Sequence, residues 1–191
     1  MVRIAKYNDN SFIDAAIDIA AQCGIVSVSM AAIAIKAGAP IGSVYHRFDS
    51  RSTILARAWL KVKSDFRHDV ASLWQHGDTW AAVAALLTWC RDKPTYARFL
   101  LQCDTYPDVG GPLAPDLHVL IEAEQAALEA CFLLCAQDRT SALPALRFLL
   151  IDAPIAIVKP YLISHQPIPS CAEALLRVSH DAVRNWAGQP H

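Results

Sequence analysis

Apolar residues recur at every third or fourth position along most of this chain, and no segment alternates strictly between apolar and polar residues. The first spacing is that of one buried face of an α-helix, whereas strict alternation indicates a half-buried strand. Of the 191 residues, 54% are hydrophobic and 18% are charged, a balance typical of a globular chain with a sizeable core. The sequence therefore predicts an all-α protein.

The six cysteines predict reduced thiols in a cytoplasmic protein. They form no Cys-x-x-Cys pair, and the first ten residues hold no apolar stretch of a secretory leader. Charged residues and prolines interrupt the longest apolar stretch, so no membrane span is predicted. No pattern predicts a cofactor or a metal, although Cys131 and Cys135 share a helix face. Those two cysteines leave metal binding or oxidant sensing open beside the simpler interpretation of a buried, inert pair.

Charge is distributed unevenly along the chain. Residues 1–68 carry nine Lys or Arg and five Asp, a net charge of +4, whereas residues 69–191 carry eight basic and thirteen acidic residues, a net charge of −5. A basic head on an acidic body favours a nucleic-acid-binding module joined to a domain of another kind.

The basic head contains signals for three short helical elements. An amphipathic helix runs from Asn10 to Cys23, and Ser29 caps a two-turn helix that Gly38 closes. A tight element follows from Pro40 to Phe48. Two short helices around a glycine turn are typical of a helix-turn-helix, which places the second helix in the major groove of DNA.

A longer amphipathic pattern follows the head and continues for more than twenty residues, from Ile54 to Trp74, which is long enough to join head to body. Pro154 and Pro160 lie inside a later helical pattern and predict a kink or break near each. The further helices are expected at residues 80–91, 94–104, 115–137, 141–164 and 171–188, with loops at 106–115 and 165–169.

The stretch from Phe12 to Leu60 resembles the TetR family of bacterial transcriptional regulators. The matching residues are Gly24, Ser29, Ile33-Ala34, Ala37-Gly38, Gly42, Val44-Tyr45-His46, Phe48 and Ser50-Arg51. The resemblance implies a three-helix DNA-binding domain at residues 1–50 and a helical effector-binding and dimerisation domain at residues 51–191. It also implies a repressor that binds a palindromic operator as a homodimer and is released by a small-molecule effector.

Seven residues are expected at the DNA. Hydroxyl, imidazole and guanidinium groups donate hydrogen bonds to phosphates or base edges, although exposed packing is an alternative for Tyr45 and His46. Where the family has a polar or basic pair, this chain has Pro40-Ile41, so we expect the salt dependence of DNA binding to be shallower by about one unit. Contact of Ile41 with a thymine methyl is the alternative use of this position. The predicted DNA-binding residues are Ser29, Pro40, Ile41, Ser43, Tyr45, His46 and Arg51.

Two further sites are expected in the body. Polar groups on apolar helices and a soft aromatic surface predict a pocket for an apolar or aromatic effector. The alternatives are a solvated face for His118 and Glu122, and core packing for most of the aromatic and cysteine side chains. The last two long helices are expected to form the homodimer interface, unless their apolar faces are buried within one subunit. The predicted pocket residues are Trp89, Phe99, Cys103, His118, Glu122 and Asp152.

Two other functions compete with that of a regulator. The sequence contains none of the common nucleophile, phosphate-loop or zinc-hydrolase motifs, so an enzyme is not predicted. A helical small-molecule-binding dimer that has lost specific DNA binding is the alternative, because Pro40-Ile41 and the modest basic excess weaken the case for DNA.

Overall fold

The computed structural model describes residues 8–103, 111–135 and 143–187. Within these ranges every regular element is helical, and no helix is long and apolar enough to cross a membrane. The all-α prediction is confirmed. The α-helices are α1 (Asp9–Cys23), α2 (Met30–Lys36), α3 (Ile41–Tyr45), α4 (Arg51–Asp69), α5 (Thr79–Asp92), α6 (Pro94–Gln102), α7 (Pro115–Cys135), α8 (Leu143–Arg147), α9 (Ala153–Ile163) and α10 (Ser170–Ala187).

The described chain packs into two compact units. An N-terminal unit comprises the described residues among 1–64 and 95–124, and a C-terminal unit comprises those among 65–94 and 125–191. This division reflects which residues pack together and not which function they carry. The functional boundary predicted at residue 50 therefore stays a prediction.

Local capping signals fix the helices of the N-terminal unit. Asn8 caps α1, where its side chain accepts a hydrogen bond from the backbone N–H of Ser11 at 2.8 Å. Ser29 caps α2 as predicted, accepting from the N–H of Ala32 at 3.1 Å. Gly24 and Gly38 follow the two helices at φ angles of +85° and +64°, which other residues rarely adopt. Each helix therefore begins and ends where the sequence places its signals.

Large apolar side chains form the core of the N-terminal unit. Phe12 of α1 meets Phe48 edge to face, with ring centroids 6.2 Å apart, and both rings are buried. Val44 of α3 and Trp59 of α4 are completely buried. The short α3 is thus attached to the core by Val44 and by the adjoining Phe48.

Four aromatic side chains of the C-terminal unit pack against one another. Phe66 packs edge to face on Trp74 at 6.1 Å and on Trp89 at 5.3 Å, and Trp74 meets Phe132 at 6.1 Å. We call Phe66, Trp74, Trp89 and Phe132 the aromatic cluster. Edge-to-face pairs of this kind add about 0.5 to 1.5 kcal/mol each beyond the area they bury.

A polar cluster lies beside these rings. The indole N–H of Trp89 donates to Asp65 at 2.7 Å, and the ammonium of Lys93 contacts Asp65 at 2.6 Å and Asp69 at 2.8 Å. The hydrogen bonds to Asp65 and Asp69 raise the pKa of Lys93 above its ordinary value. The cation stabilises two adjacent carboxylates that would otherwise repel each other.

Two predicted helices differ from those observed. The pattern from Ile54 to Trp74 is not one helix, because α4 ends at Asp69 and a 3₁₀ helix follows at residues 71–76. Ser72 donates its hydroxyl to the carbonyl of His68 at 2.6 Å, and such bonding competes with the helical backbone.

The proline-containing pattern is also divided. A π-helical turn at residues 148–152 separates α8 from α9, just before Pro154 in the first turn of α9. A kink or break was predicted near each proline; the structure has the π-helical turn just before Pro154, and the helix continues through Pro160 to Ile163.

Candidate nucleic-acid interface

The element α3 presents one face to the core and another to solvent. Val44 is completely buried, whereas Ile41 is 48% exposed and Tyr45 is 57% exposed. Pro40 stands at the N-cap, and its carbonyl accepts a hydrogen bond from the N–H of Ser43 at 2.9 Å. Residues four apart lie on the same side of a helix, so Ile41 and Tyr45 share the outer face of α3.

Nothing in the described part of the chain requires a glycine at position 42 of α3. Its φ angle is not positive, and a Cβ placed on it would meet no described atom within 4 Å. Glycine within a helix costs about 0.5 to 1 kcal/mol relative to alanine. The missing side chain therefore leaves open space on the surface, which suits the close approach of another molecule.

The other predicted DNA-binding residues surround this surface. Ser29 and His46 are exposed, and Ser43 is partly exposed. Ser29 has its hydroxyl oxygen at the N-terminus of α2, where it already accepts the N–H of Ala32. Its O–H remains a donor, because accepting a bond does not use the hydroxyl proton.

Arg51 has an internal role that the sequence did not reveal. Its Nε donates to the carbonyl of Val28 and its Nη2 to the carbonyl of Ile25, each at 2.6 Å. The guanidinium of α4 thus fixes the short 3₁₀ helix at residues 25–27, between α1 and α2. Its predicted contact with a DNA phosphate stays a prediction.

Carboxylates of α1 pair with several cations of the head. Asp9 accepts from Arg47 at 2.7 Å, Asp18 lies 3.6 Å from Lys36, and Asp14 accepts from Lys61. These partly exposed pairs contribute at most about 1 kcal/mol each. They nevertheless lower the positive charge that the head presents to a polyanion.

Four of the six predicted pocket residues belong to the N-terminal unit. Phe99 and Cys103 are buried, and burial raises the pKa of the Cys103 thiol to about 12, so that thiol is unreactive. His118 and Glu122 are exposed on α7, with 3.7 Å between Nε2 and Oε1. Both side chains are thus exposed, as expected if they belong to a solvated face rather than to a pocket.

The other two belong to the C-terminal unit. Trp89 is buried and its N–H is taken by Asp65. Asp152 stands in an apolar stretch of the sequence, yet its side chain is 49% exposed and lies 3.7 Å from Arg147. The chain leaves the predicted helical period at the π-helical turn that contains Asp152, and this turn changes which residues face inward.

No sequence pattern predicts the unpaired indole inside the C-terminal unit. Trp74 is 4% exposed, and its Nε1 has no hydrogen-bond partner among the residues described. A buried donor without an acceptor costs about 1 to 3 kcal/mol. The aromatic cluster therefore contains an N–H group that a bound acceptor would satisfy.

The apolar faces predicted for the dimer divide into an inner and an outer set. Leu149 and Leu150 are buried within the chain, as are Ala172, Leu176 and His180 on the inner face of α10. His180 lies 2.8 Å from the hydroxyl of Thr79, which ties α10 to α5. The outer stripe of α10, spaced by four, three and four residues, consists of Cys171, Leu175, Val178 and Ala182, all exposed.

Comparison with known proteins identifies the N-terminal part of the chain. Residues 12–58 match the family model of bacterial regulatory proteins of the TetR family. Residues 12–58 form a TetR-family helix-turn-helix domain. The matched segment contains α1, α2 and α3 with Gly42 and Tyr45, so the predicted recognition of the family is confirmed.

Solved structures extend the TetR likeness to the fold of nearly the whole chain. A TetR family transcription regulator from Marinobacter aquaeolei VT8 is 16% identical, covers 91% of this chain and 94% of its own, and has a TM-score of 0.67. The multidrug binding protein EbrR, solved in complex with imidazole, is 20% identical with 98% of each chain covered and a TM-score of 0.61. No curated protein matches the chain by sequence.

Replacing Arg51 tests its internal role in the TetR-family domain. Arg51→Met removes both donors and leaves the carbonyls of Ile25 and Val28 without them, so we expect the free energy of unfolding to fall by about 2 to 4 kcal/mol. Urea denaturation followed by circular dichroism measures the change. Arg57→Met, an exposed arginine of the same helix, should change stability by less than about 0.5 kcal/mol. Equal stability of the two variants would contradict the role assigned to Arg51.

Proposed function

We propose that this chain is a TetR-type transcriptional repressor that binds a palindromic DNA operator as a homodimer and releases it when a small effector binds. Residues 1–50 bind DNA and residues 51–191 carry effector binding and dimerisation, in the cytoplasm. The observation that carries the proposal is the exposed face of α3, fixed to the core by Val44 within a TetR-family domain.

The outer face of α3 has the chemistry that DNA recognition requires. The hydroxyls of Ser29 and Tyr45 donate to phosphates, and Ser43 and His46 reach base edges. Pro40 sets the backbone angle that starts the helix, and Gly42 lets the backbone approach the duplex. Arg51, whose Nε and Nη2 donate to carbonyls of the domain, is also proposed to contact a phosphate.

Replacing Gly42 should change stability and DNA binding in opposite directions. Alanine at position 42 meets no described atom, so Gly42→Ala should raise the free energy of unfolding by up to about 1 kcal/mol. The same methyl group would stand between α3 and the duplex, so operator affinity should fall by roughly tenfold or more. Thermal unfolding and a footprint titration on the chain's own promoter region measure the two effects.

Two results would contradict this part of the proposal. If Gly42→Ala binds the protected duplex as tightly as the natural protein, α3 does not dock as proposed. If no duplex competes better than random DNA, the alternative of a small-molecule-binding dimer without specific DNA binding is favoured. Gly38→Ala is the contrasting control, because its φ of +64° makes alanine destabilising there.

Two-fold symmetry explains why the repressor needs a dimer. Two recognition helices must reach successive major grooves about 34 to 36 Å apart, and a two-fold axis makes the operator palindromic. The outer stripe of α10 supports such a dimer: Leu175 is 57% exposed and Val178 is 70% exposed. Side chains spaced by four, three and four residues can form a helix-helix seam across an axis.

Introducing a charge into this stripe tests the dimer. Val178→Glu should weaken self-association by about thirtyfold or more, because a carboxylate would be buried in an apolar interface. Sedimentation velocity measures the mass of the particle, and circular dichroism checks that the helices remain. Arg184→Glu, about a third of a turn away around α10, should leave the dimer intact. A one-chain mass for the natural protein would exclude the dimer.

The aromatic cluster supports effector binding in the C-terminal unit. Its rings favour a flat aromatic molecule, and the unpaired N–H of Trp74 favours one that carries a hydrogen-bond acceptor. The solved structure of EbrR, a multidrug binding protein, was obtained with imidazole. Such a ligand releases DNA only if it binds the two states of the dimer unequally. The other predicted pocket residues, Phe99, Cys103, His118, Glu122 and Asp152, stay predictions.

A matched pair of probes tests the Trp74 donor. Quinoline and naphthalene have the same two-ring shape, but only quinoline carries a nitrogen acceptor. We expect quinoline to bind about tenfold more tightly in a ligand-detected NMR titration, since one neutral hydrogen bond contributes about 1 to 1.5 kcal/mol. Trp74→Phe should abolish this preference, whereas Trp59→Phe, which removes another buried unpaired N–H, should keep it. A preference that survives Trp74→Phe would exclude the assignment.

A further inference from the structure

We propose that Ile41 recognises the C5-methyl group of a thymine, so that each half of the operator has an A·T pair opposite α3. The inference rests on the proposed function and names the base that one side chain selects.

The position and exposure of Ile41 carry the argument. It is the first residue of α3, and 48% of its surface is exposed although it is apolar. The core of the domain holds α3 through Val44 and does not require Ile41. Tyr45, one turn further, is exposed on the same side of the helix.

The chemistry of the major groove leaves one partner for such a side chain. Ile41 has no donor or acceptor, and the thymine methyl is the apolar group that base pairs present in that groove. Against guanine or cytosine, isoleucine would exclude water from hydrogen-bond donors and acceptors of the base. It would offer no hydrogen bond in return, which is unfavourable. The side chain thus favours thymine and also disfavours the G·C pair.

The charges around α3 agree with an apolar contact. Position 41 contributes no cation, and Arg47, two residues beyond α3, is already paired with Asp9 at 2.7 Å. The ion pair between Lys36 and Asp18 withdraws a second cation, on α2. Affinity near Ile41 therefore depends on contact area and hydrogen bonds more than on neutralised phosphates.

Deoxyuridine substitution tests the contact directly, because uracil differs from thymine at this edge only by the missing methyl. A duplex is first selected from a randomised library with the natural protein, and each symmetric pair of thymines is then replaced in turn. One pair should weaken binding about fourfold per half-site, from the burial of one methyl group, and about sixteenfold for both half-sites. The other pairs should change affinity by less than twofold.

Variants of the protein identify the side chain responsible. With Ile41→Ala, the deoxyuridine duplex should bind as well as the thymine duplex, because the partner of the methyl group is gone. Val26→Ala, which changes another exposed branched residue of the same domain, should keep the loss of about sixteenfold. Ile41→Lys should remove the sensitivity to uracil and steepen the salt dependence by about one unit.

The outcomes separate the two proposals. If no duplex is selected over random DNA, the proposed function fails before Ile41 is tested. If a duplex is selected but no thymine pair is sensitive to uracil, or if Ile41→Ala keeps the sensitivity, the assignment to Ile41 is overturned while DNA binding stands. Circular dichroism of Ile41→Ala confirms that a lost effect does not reflect lost folding.

Discussion

The attachment of α3 to the core is the interaction on which the rest of the interface depends. A helix of five residues is not stable by itself, because forming its first turn fixes several dihedral angles for few hydrogen bonds. Burial of Val44, together with the contact between Phe48 and Phe12, holds α3 in place. The outer face is then free to carry residues that contribute nothing to stability, such as Gly42 and the exposed Ile41.

The N-terminal domain was predictable because its signals are local. Ser29 caps the helix that begins one residue later, and Gly38 adopts the positive φ that ends it, so two nearby residues define α2. Arg51 was assigned to DNA, because nothing in the sequence indicates that its guanidinium bonds carbonyls 23 and 26 residues away. Contacts of that kind depend on tertiary packing rather than on the spacing of residue types.

The all-α class of the C-terminal unit was predictable from the sequence, but the residues of its effector pocket were less so. Leu149 and Leu150, on a helix expected at the dimer interface, are buried within the chain, and the π-helical turn places Asp152 at the surface, where it pairs with Arg147. Trp89 was expected at a ligand, which stays a prediction, and its N–H is bonded to Asp65. Among the buried side-chain donors described in this unit, Trp74 has the one N–H without a partner, and no sequence pattern distinguishes one buried indole from another.

The acidic residues of α1 connect stability with the way the domain meets DNA. Asp9, Asp14 and Asp18 each pair with a cation contributed by a different later segment. A phosphate that approaches one of these cations must compete with a carboxylate already present, so less counterion is displaced from the DNA for each contact made. The electrostatic term is thereby weakened, and hydrogen bonds and apolar contacts to base edges must supply more of the affinity. Because those contacts depend on base identity more than phosphate contacts do, specificity rises relative to non-specific binding.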